Sequence, residues 1–251
     1  MSSHTAPLNG IELHYEIDGT GDPLLLLHGG TGCHADWQYS GLDEFVEQFQ
    51  TIRPDARGHG QSTNPGKTIT HRQCALDMLA LLDHLQIPRC RAIGLSMGGN
   101  ILLHMATMQP QRISAMVVVS ATLRFPDQAR AIMRQIPPAS EQPAHAWDAM
   151  RQRHSLGDDQ ITALWEWTSS LQNSYDDMNF TADDLSATTA RTLVVYGDSD
   201  PLYPVEMGVE MYRAIPQSKL WVVPGGGHGP VFLDAADLFA KTSLRFLKNE
   251  F

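Results

Sequence analysis

The chain has 251 residues, of which 42% are hydrophobic and 18% are charged, and these values are typical of a globular protein with a sizeable core. Its formal net charge of −10 argues against a nucleic-acid partner and an anionic membrane, because no basic patch offsets phosphate charge. Three widely spaced cysteines without a C-x-x-C pair predict buried, reduced thiols. The N-terminus has no signal pattern and the longest aliphatic run covers only residues 24–27, so we predict a cytoplasmic protein.

Strand-like and helix-like segments alternate along the chain. His4 is expected in a frayed end, and "GIELHYEIDG" (10–19) then alternates apolar and polar residues as a half-buried strand does. "PLLLLHGG" (23–30) is a continuous apolar run, typical of a strand buried on both faces. Similar short runs recur at 51–53, 91–95, 116–120, 192–196 and 220–223. Segments with helical spacing lie between them, at 41–49, 72–85, 100–108, 205–214 and 235–247. This alternation predicts an α/β fold, with a mostly parallel twisted sheet and helices on both faces.

One interval, from about residue 123 to 191, contains no convincing buried strand. It is rich in Arg, Gln, Asp, Pro and Trp, and we interpret it as a helical cap inserted into a core made of residues 1–122 and 192–251. Its large apolar side chains could dock the insertion on the core or line a pocket beneath it, and the sequence favours neither. These side chains are Trp147, Met150, Leu164, Trp165, Trp167, Leu171, Tyr175, Met178 and Phe180.

Ser96 is the candidate nucleophile, in the stretch "GLSMGGN" (94–100). The pattern Gly-x-Ser-x-Gly arises by chance in roughly one chain in ten of this size, so the surrounding sequence is needed to judge whether Ser96 is a nucleophile. The serine lies between a predicted buried strand and a predicted helix, and glycines at 94 and 98 suit a sharp turn there. Ligands of open parallel sheets bind at the carboxyl ends of strands, which is where Ser96 is expected.

A serine hydroxyl needs a base, and the base needs an acid that orients it. Of the 11 histidines, His228 follows a buried run in the glycine-rich loop "VVPGGGHGP" (222–230). The stretch "VVYGDSDPLYP" (194–204) supplies two carboxylates directly after a strand, those of Asp198 and Asp200. The residues alone therefore leave two candidates for the acid.

From about Gly10 to the C-terminus, the chain resembles the α/β-hydrolases. The matching residues are His28-Gly29-Gly30, Asp55-Ala56-Arg57-Gly58-His59-Gly60-Gln61-Ser62, Gly94-Leu95-Ser96-Met97-Gly98-Gly99, Gly197-Asp198-Ser199-Asp200 and His228. Their order, nucleophile then acid then histidine, is the one that this family uses.

The resemblance assigns roles to single residues. The family pattern G-x-x-D implies that Asp200 is the acid and that Asp198 caps a turn. The family's oxyanion hole implies the backbone N–H groups of Gly30 and Met97, the second of which also gains from the positive end of its helix. His28 is implied to shape its loop rather than to act as a base. Asp55, Arg57 and His59 resemble a structural turn of the family.

We predict no cofactor and no metal. "NPGKT" (64–68) hints at a phosphate loop, but Gln61 stands where that motif needs a glycine. No pair of histidines has the H-E-x-x-H spacing of a metal site.

The resemblance implies a serine hydrolase that cleaves a small or medium carboxylic ester or lactone through an acyl-enzyme. Dehalogenases and epoxide hydrolases of this fold use an aspartate nucleophile, so Ser96 argues against both. Two alternatives stay open, a carbon–carbon bond hydrolase of ring-cleavage products and a small-molecule receptor with little turnover. The aromatic insertion favours a substrate with an apolar group, and the oligomeric state is left open.

Overall fold

The computed structural model describes residues 1–250, which form an eight-stranded sheet with helices on both faces. The strands are β1 (Ser2–Leu8), β2 (Ile11–Asp18), β3 (Pro23–Leu27), β4 (Gln50–Pro54), β5 (Cys90–Leu95), β6 (Ile113–Val119), β7 (Arg191–Gly197) and β8 (Ser218–Val223). Their order across the sheet is β1-β2-β4-β3-β5-β6-β7-β8. The β1–β2 and β2–β4 pairs are antiparallel and all other pairs are parallel. The predicted α/β fold with a mostly parallel sheet is confirmed.

The helices connect the strands and fill the long interval between β6 and β7. They are α1 (Leu42–Val46), α2 (His71–His84), α3 (Met97–Met108), α4 (Asp127–Met133), α5 (Ala144–Arg153), α6 (Asp158–Ser170), α7 (Ala182–Ser186), α8 (Val205–Ala214) and α9 (Ala236–Leu247). Helices α4 to α7 lie in the 123–191 interval, where a bridge joins Arg124 to Asn179. The division of the chain into a core and a cap stays a prediction. Among the described residues, no helix combines the length and apolar character needed to cross a lipid bilayer.

The two faces of the sheet build two separate hydrophobic clusters. Successive side chains of a strand point to opposite faces, so the leucine run of β3 is divided between the clusters. Leu24 and Leu26 belong to the cluster that includes Phe45 of α1 and Phe239 of α9. Leu25 belongs to the other cluster, with apolar side chains of α2 and α3. Burial on both faces explains why β3 is apolar throughout rather than alternating.

The expectation of a frayed N-terminus is wrong. His4 lies in β1, opposite Tyr15 of β2, and the two rings stack with centroids 5.3 Å apart. Strand β1 is an edge strand whose first four residues are exposed, so it carries no buried apolar pattern that the sequence could reveal. The helix expected over 41–49 is also shorter, because the chain turns after Val46 to enter β4.

Candidate active site

The predicted site residues lie at the carboxyl ends of four parallel strands. Gly30 follows β3, Ser96 follows β5, Asp200 follows β7 and His228 follows β8. Strands β3, β5, β6, β7 and β8 are neighbours in that order, so their ends open on one edge of the sheet. This is the edge at which open parallel sheets bind ligands.

Ser96 occupies a strained turn between β5 and α3. Its φ of 51° and ψ of −112° place a non-glycine residue at positive φ, an uncommon conformation that costs about 1–3 kcal/mol and that clusters at active sites. The flanking glycines make the turn possible. A Cβ on Gly98 would overlap the carbonyl group of Leu27, and a Cβ on Gly94 would overlap the carbonyl group of Gly98.

The structure brings Ser96, His228 and Asp200 into one hydrogen-bonded chain. The distance from Ser96 Oγ to His228 Nε2 is 2.8 Å, and the distance from His228 Nδ1 to Asp200 Oδ2 is 2.9 Å. The second carboxylate oxygen, Oδ1, accepts hydrogen bonds from the backbone N–H groups of Leu202 (2.8 Å) and Tyr203 (3.1 Å). These contacts leave Oδ2 facing the imidazole, so an ionised Asp200 would hold the proton on Nδ1 and leave Nε2 free to accept one.

Asp198, the other candidate carboxylate, has a different environment. Its side chain is exposed, and its Oδ1 accepts hydrogen bonds from the backbone N–H of Gly225 at 2.6 Å and from the Ser199 hydroxyl at 3.1 Å. The bond from Gly225 ties the loop after β7 to the turn after β8. The carboxylate in contact with His228 is that of Asp200.

Gly30 and Met97 line the same cavity as Ser96. Within residues 1–250, neither backbone N–H has a protein acceptor. Met97 is the first residue of α3, where helix N–H groups lack an intrahelical partner and the helix dipole is positive. An added Cβ on Gly30 would sit 3.5 Å from the Trp167 ring and 4.0 Å from the Met97 Cβ, so these residues enclose the loop after β3.

The cavity at Ser96 has a volume of about 610 Å³ and takes part of its wall from α4 and α6. Four apolar residues of the 123–191 interval line it, so part of this interval faces the site; they are Phe125, Met133, Trp167 and Leu171. A second cavity of about 470 Å³ shares Gly30, Leu95 and Phe232 with the first. The two cavities therefore adjoin beside the loop after β3.

The cavity wall includes polar side chains that the sequence did not point to, among them Tyr203 and His71. Tyr203 is buried, and its ring meets the His228 ring edge to face at a centroid distance of 5.1 Å. Tyr203 comes three residues after Asp200, and this closeness in sequence could have indicated that it lies at the site. His71, at the start of α2, also lines the cavity, and nothing in the local sequence separates it from the other histidines.

The residues that resemble the family's structural turn form a buried polar network. His28 Nε2 accepts from the Ala56 N–H at 3.0 Å and Nδ1 donates to the Gly29 carbonyl at 2.7 Å, so both ring nitrogens are used. Burial lowers the pKa of His28, which keeps the ring neutral. Arg57 makes a two-bond contact with Asp77, at 2.7 and 2.8 Å.

Asp55 is the first residue of this turn and one member of a group that has the donor atoms of a metal site. The potential ligand atoms of His14, His34 and Asp55 lie within 4.8 Å of one another. The Asp55 carboxylate already accepts hydrogen bonds from both imidazoles and from the backbone N–H groups of His34 and Gln61. Because each oxygen has two donors, hydrogen bonding accounts for the cluster.

Comparisons with known proteins agree with this architecture. Residues 24–242 match the model of the alpha/beta hydrolase family. The soluble epoxide hydrolase of Corynebacterium sp. (strain C12) is 35% identical over 106 residues, a match that covers 42% of this chain and 37% of that protein.

Two solved structures extend the similarity to the whole chain. A thermophilic esterase from Thermogutta terrifontis superposes with a TM-score of 0.78 at 25% identity, covering 99% of each chain. The meta-cleavage product hydrolase from Pseudomonas fluorescens IP01 superposes with a TM-score of 0.83 at 18% identity, covering 99% of this chain and 98% of the other. The chain belongs to the alpha/beta hydrolase family.

Proposed function

We propose that this protein is a serine hydrolase that cleaves a small or medium carboxylic ester or lactone through an acyl-enzyme. The observation that carries the proposal is the hydrogen-bonded chain from Ser96 through His228 to Asp200. A hydroxyl, an imidazole and a buried carboxylate in this order are what nucleophilic attack by serine requires.

The proposed mechanism assigns one task to each group. His228 Nε2 removes the Ser96 proton as Oγ attacks the substrate carbonyl, and Asp200 stabilises the imidazolium that forms. The N–H groups of Gly30 and Met97 stabilise the developing oxyanion, each by about 3 kcal/mol. His228 then protonates the leaving alcohol, and in the second half of the reaction it activates the water that hydrolyses the acyl-enzyme.

The proposed substrate is a small molecule with an apolar part. The cavity has an apolar wall formed by Trp167, Phe125, Met133 and Leu171. Burial of apolar surface against this wall favours alkyl or aryl groups in the substrate. The second cavity adjoins the first beside Gly30, which gives room for acyl and alcohol parts on two sides of the attacked carbonyl. The match to the epoxide hydrolase covers less than half of this chain, and Ser96 stands where that reaction class uses an aspartate.

Labelling with a fluorophosphonate tests the proposal directly. We expect the wild-type protein to acquire one phosphonyl group on the Ser96 peptide, because the His228 base activates this hydroxyl. The Ser96→Ala variant should remain unlabelled, measured by intact-protein and peptide mass. Equal labelling of the variant would sink the assignment.

Multiple-turnover assays separate the proposed enzyme from the alternatives. Rapid hydrolysis of short-chain aryl esters and lactones by the wild-type protein supports an ester hydrolase. Turnover confined to ring-cleavage products would instead indicate carbon–carbon bond hydrolysis. Tight binding of a small molecule with little turnover would indicate a receptor.

A further inference from the structure

His71 forms a second histidine–carboxylate pair in the cavity wall, separate from His228 and Asp200. It is the first residue of α2, and its side chain, only 1% exposed, lines the cavity that contains Ser96. The ring lies between aromatic side chains, with centroids 5.9 Å from Phe125 and 6.1 Å from Trp167. A polar ring is thus enclosed in an otherwise apolar part of the site.

Asp177, a residue of the 123–191 interval, holds the His71 ring in place by hydrogen bonds. Its Oδ2 lies 2.6 Å from His71 Nδ1 and also accepts from the His71 backbone N–H at 2.7 Å, while Oδ1 accepts from the Arg72 N–H at 3.1 Å. Burial raises the pKa of the Asp177 carboxyl, but the hydrogen bonds from the His71 side chain and from the backbone N–H groups of His71 and Arg72 outweigh burial and the pKa is lowered. Asp177 is therefore an ionised carboxylate that accepts a hydrogen bond from the N–H of His71 Nδ1.

The other ring nitrogen, Nε2, is left without a protein partner. Within residues 1–250, no protein group forms a hydrogen bond with Nε2. Nε2 is also not among the fully buried side-chain atoms that lack a partner, so part of its surface is accessible. Because His71 lines the cavity, Nε2 has its remaining access there. With the proton on Nδ1, Nε2 is a hydrogen-bond acceptor.

We propose that His71 is a substrate-binding residue whose Nε2 accepts a hydrogen bond from a hydroxyl group on the apolar part of the substrate. The inference rests on the proposed function, which it deepens by naming the substrate class as hydroxylated esters. Asp177 is a positioning residue, since it acts on the substrate only by fixing the tautomer and orientation of His71. Phe125 and Trp167 favour an aryl group as the carrier of the hydroxyl.

A matched pair of His71 variants separates the contribution of Nε2 from that of Nδ1. In His71→Asn the side-chain amide reaches about as far as Nδ1, so it keeps the contact with Asp177 and loses the acceptor. In His71→Gln the amide reaches about as far as Nε2, so it restores an acceptor in the cavity. The probes are methyl benzoate and its meta-hydroxy and para-hydroxy derivatives, with the corresponding carboxy derivatives as a charged comparison.

We expect the wild-type protein to prefer at least one hydroxylated ester over methyl benzoate in kcat/KM by about three- to tenfold, the range of a single neutral hydrogen bond. In His71→Asn the ratio of kcat/KM for the hydroxylated ester to kcat/KM for methyl benzoate should fall to about one, whatever the absolute rates, and His71→Gln should retain part of the preference. Equal preference in wild type and His71→Asn, or a preference for the carboxy derivatives, would overturn the inference.

Equilibrium binding to the Ser96→Ala variant keeps the two proposals distinguishable. The same esters are titrated calorimetrically into Ser96→Ala and into Ser96→Ala combined with His71→Asn. Tighter binding of a hydroxylated ester that disappears with His71→Asn supports the inference even if Ser96 proves not to be the nucleophile. Equal binding of hydroxylated and plain esters contradicts the inference, whatever the labelling of Ser96 shows.

Discussion

Replacing Asp200 by asparagine is expected to lower kcat for aryl ester hydrolysis about 10⁴-fold, with the fold unchanged. Oδ1 accepts from two backbone N–H groups, those of Leu202 and Tyr203, so the asparagine must keep its oxygen there. Its NH₂ group then faces His228 Nδ1, at the place of Oδ2. A donor at this place forces the proton of the neutral imidazole onto Nε2, which can no longer accept the Ser96 proton.

Asp198→Asn is the matched control, because it makes the same chemical change two residues earlier. Asp198 is exposed and its Oδ1 binds the Gly225 N–H, so the asparagine oxygen can replace it and kcat should change less than about threefold. Initial rates with para-nitrophenyl acetate and circular dichroism spectra of both variants provide the measurement. A larger loss in Asp198→Asn than in Asp200→Asn would reverse the proposed roles of the two carboxylates.

The parallel sheet could be predicted because burial leaves a strong pattern in the sequence. Strand β3 is a run of four leucines, and β5, β6 and β7 are nearly as apolar, since helices cover both of their faces. The strand that precedes each residue then predicted that Ser96, His228 and an aspartate after β7 lie at one edge of the sheet. The choice of Asp200 over Asp198 came from the family resemblance. The edge strand β1 could not be predicted, because mostly exposed side chains leave no apolar period.

Contacts that depend on how the 123–191 interval folds could not be predicted. His71 and Asp177 are 106 residues apart, and no period or motif links a helix start to a loop at that distance. The same holds for His154, whose ring contacts the Gly60 N–H and the Thr31 carbonyl. Sequence patterns report which face of an element is buried, and they do not report which loop covers it.

The network around Asp55 illustrates the same limit inside the sheet. The family resemblance marked Asp55 as structural, but its partners His14 and His34 come from β2 and from the start of a 3₁₀ helix (His34–Tyr39) that follows the loop after β3. Through the His34 N–H, Asp55 holds the far end of the loop that carries Gly30. Its burial is complete, so every lone pair must be satisfied by the protein.

Asp55→Asn is therefore expected to reduce the free energy of unfolding by about 3–5 kcal/mol, the cost of breaking a buried charged pair. Both carboxylate oxygens accept a backbone N–H, from His34 on Oδ1 and from Gln61 on Oδ2. Whichever way the amide is turned, its NH₂ group faces an N–H donor, and both donors are left unsatisfied. Equilibrium unfolding in urea, followed by tryptophan fluorescence, measures the loss.

The pH dependence of this loss identifies the charge as its cause. Burial raises the pKa of Asp55, but hydrogen bonds from His14 and His34 outweigh it and hold the pKa far below its usual range. A carboxyl group whose pKa is lowered by folding stabilises above its unfolded pKa, about 4, and this contribution is lost as the pH falls further. Burial lowers the pKa of His34, but Asp55 and Glu16 raise it overall, so the contribution of His34 is complete below about pH 6.5 and is lost as the pH rises through the folded pKa.

The difference in stability between wild type and Asp55→Asn should therefore be largest between about pH 4 and pH 6.5 and should narrow on both sides. Asp237→Asn is the control, because its exposed pair with Lys241 is worth less than about 1 kcal/mol. A loss that is constant from pH 3 to pH 8, or as small as that of Asp237→Asn, would mean that Asp55 acts by shape alone. In that case a neutral amide at position 55 would hold the loop after β3 in place as well as the buried carboxylate does.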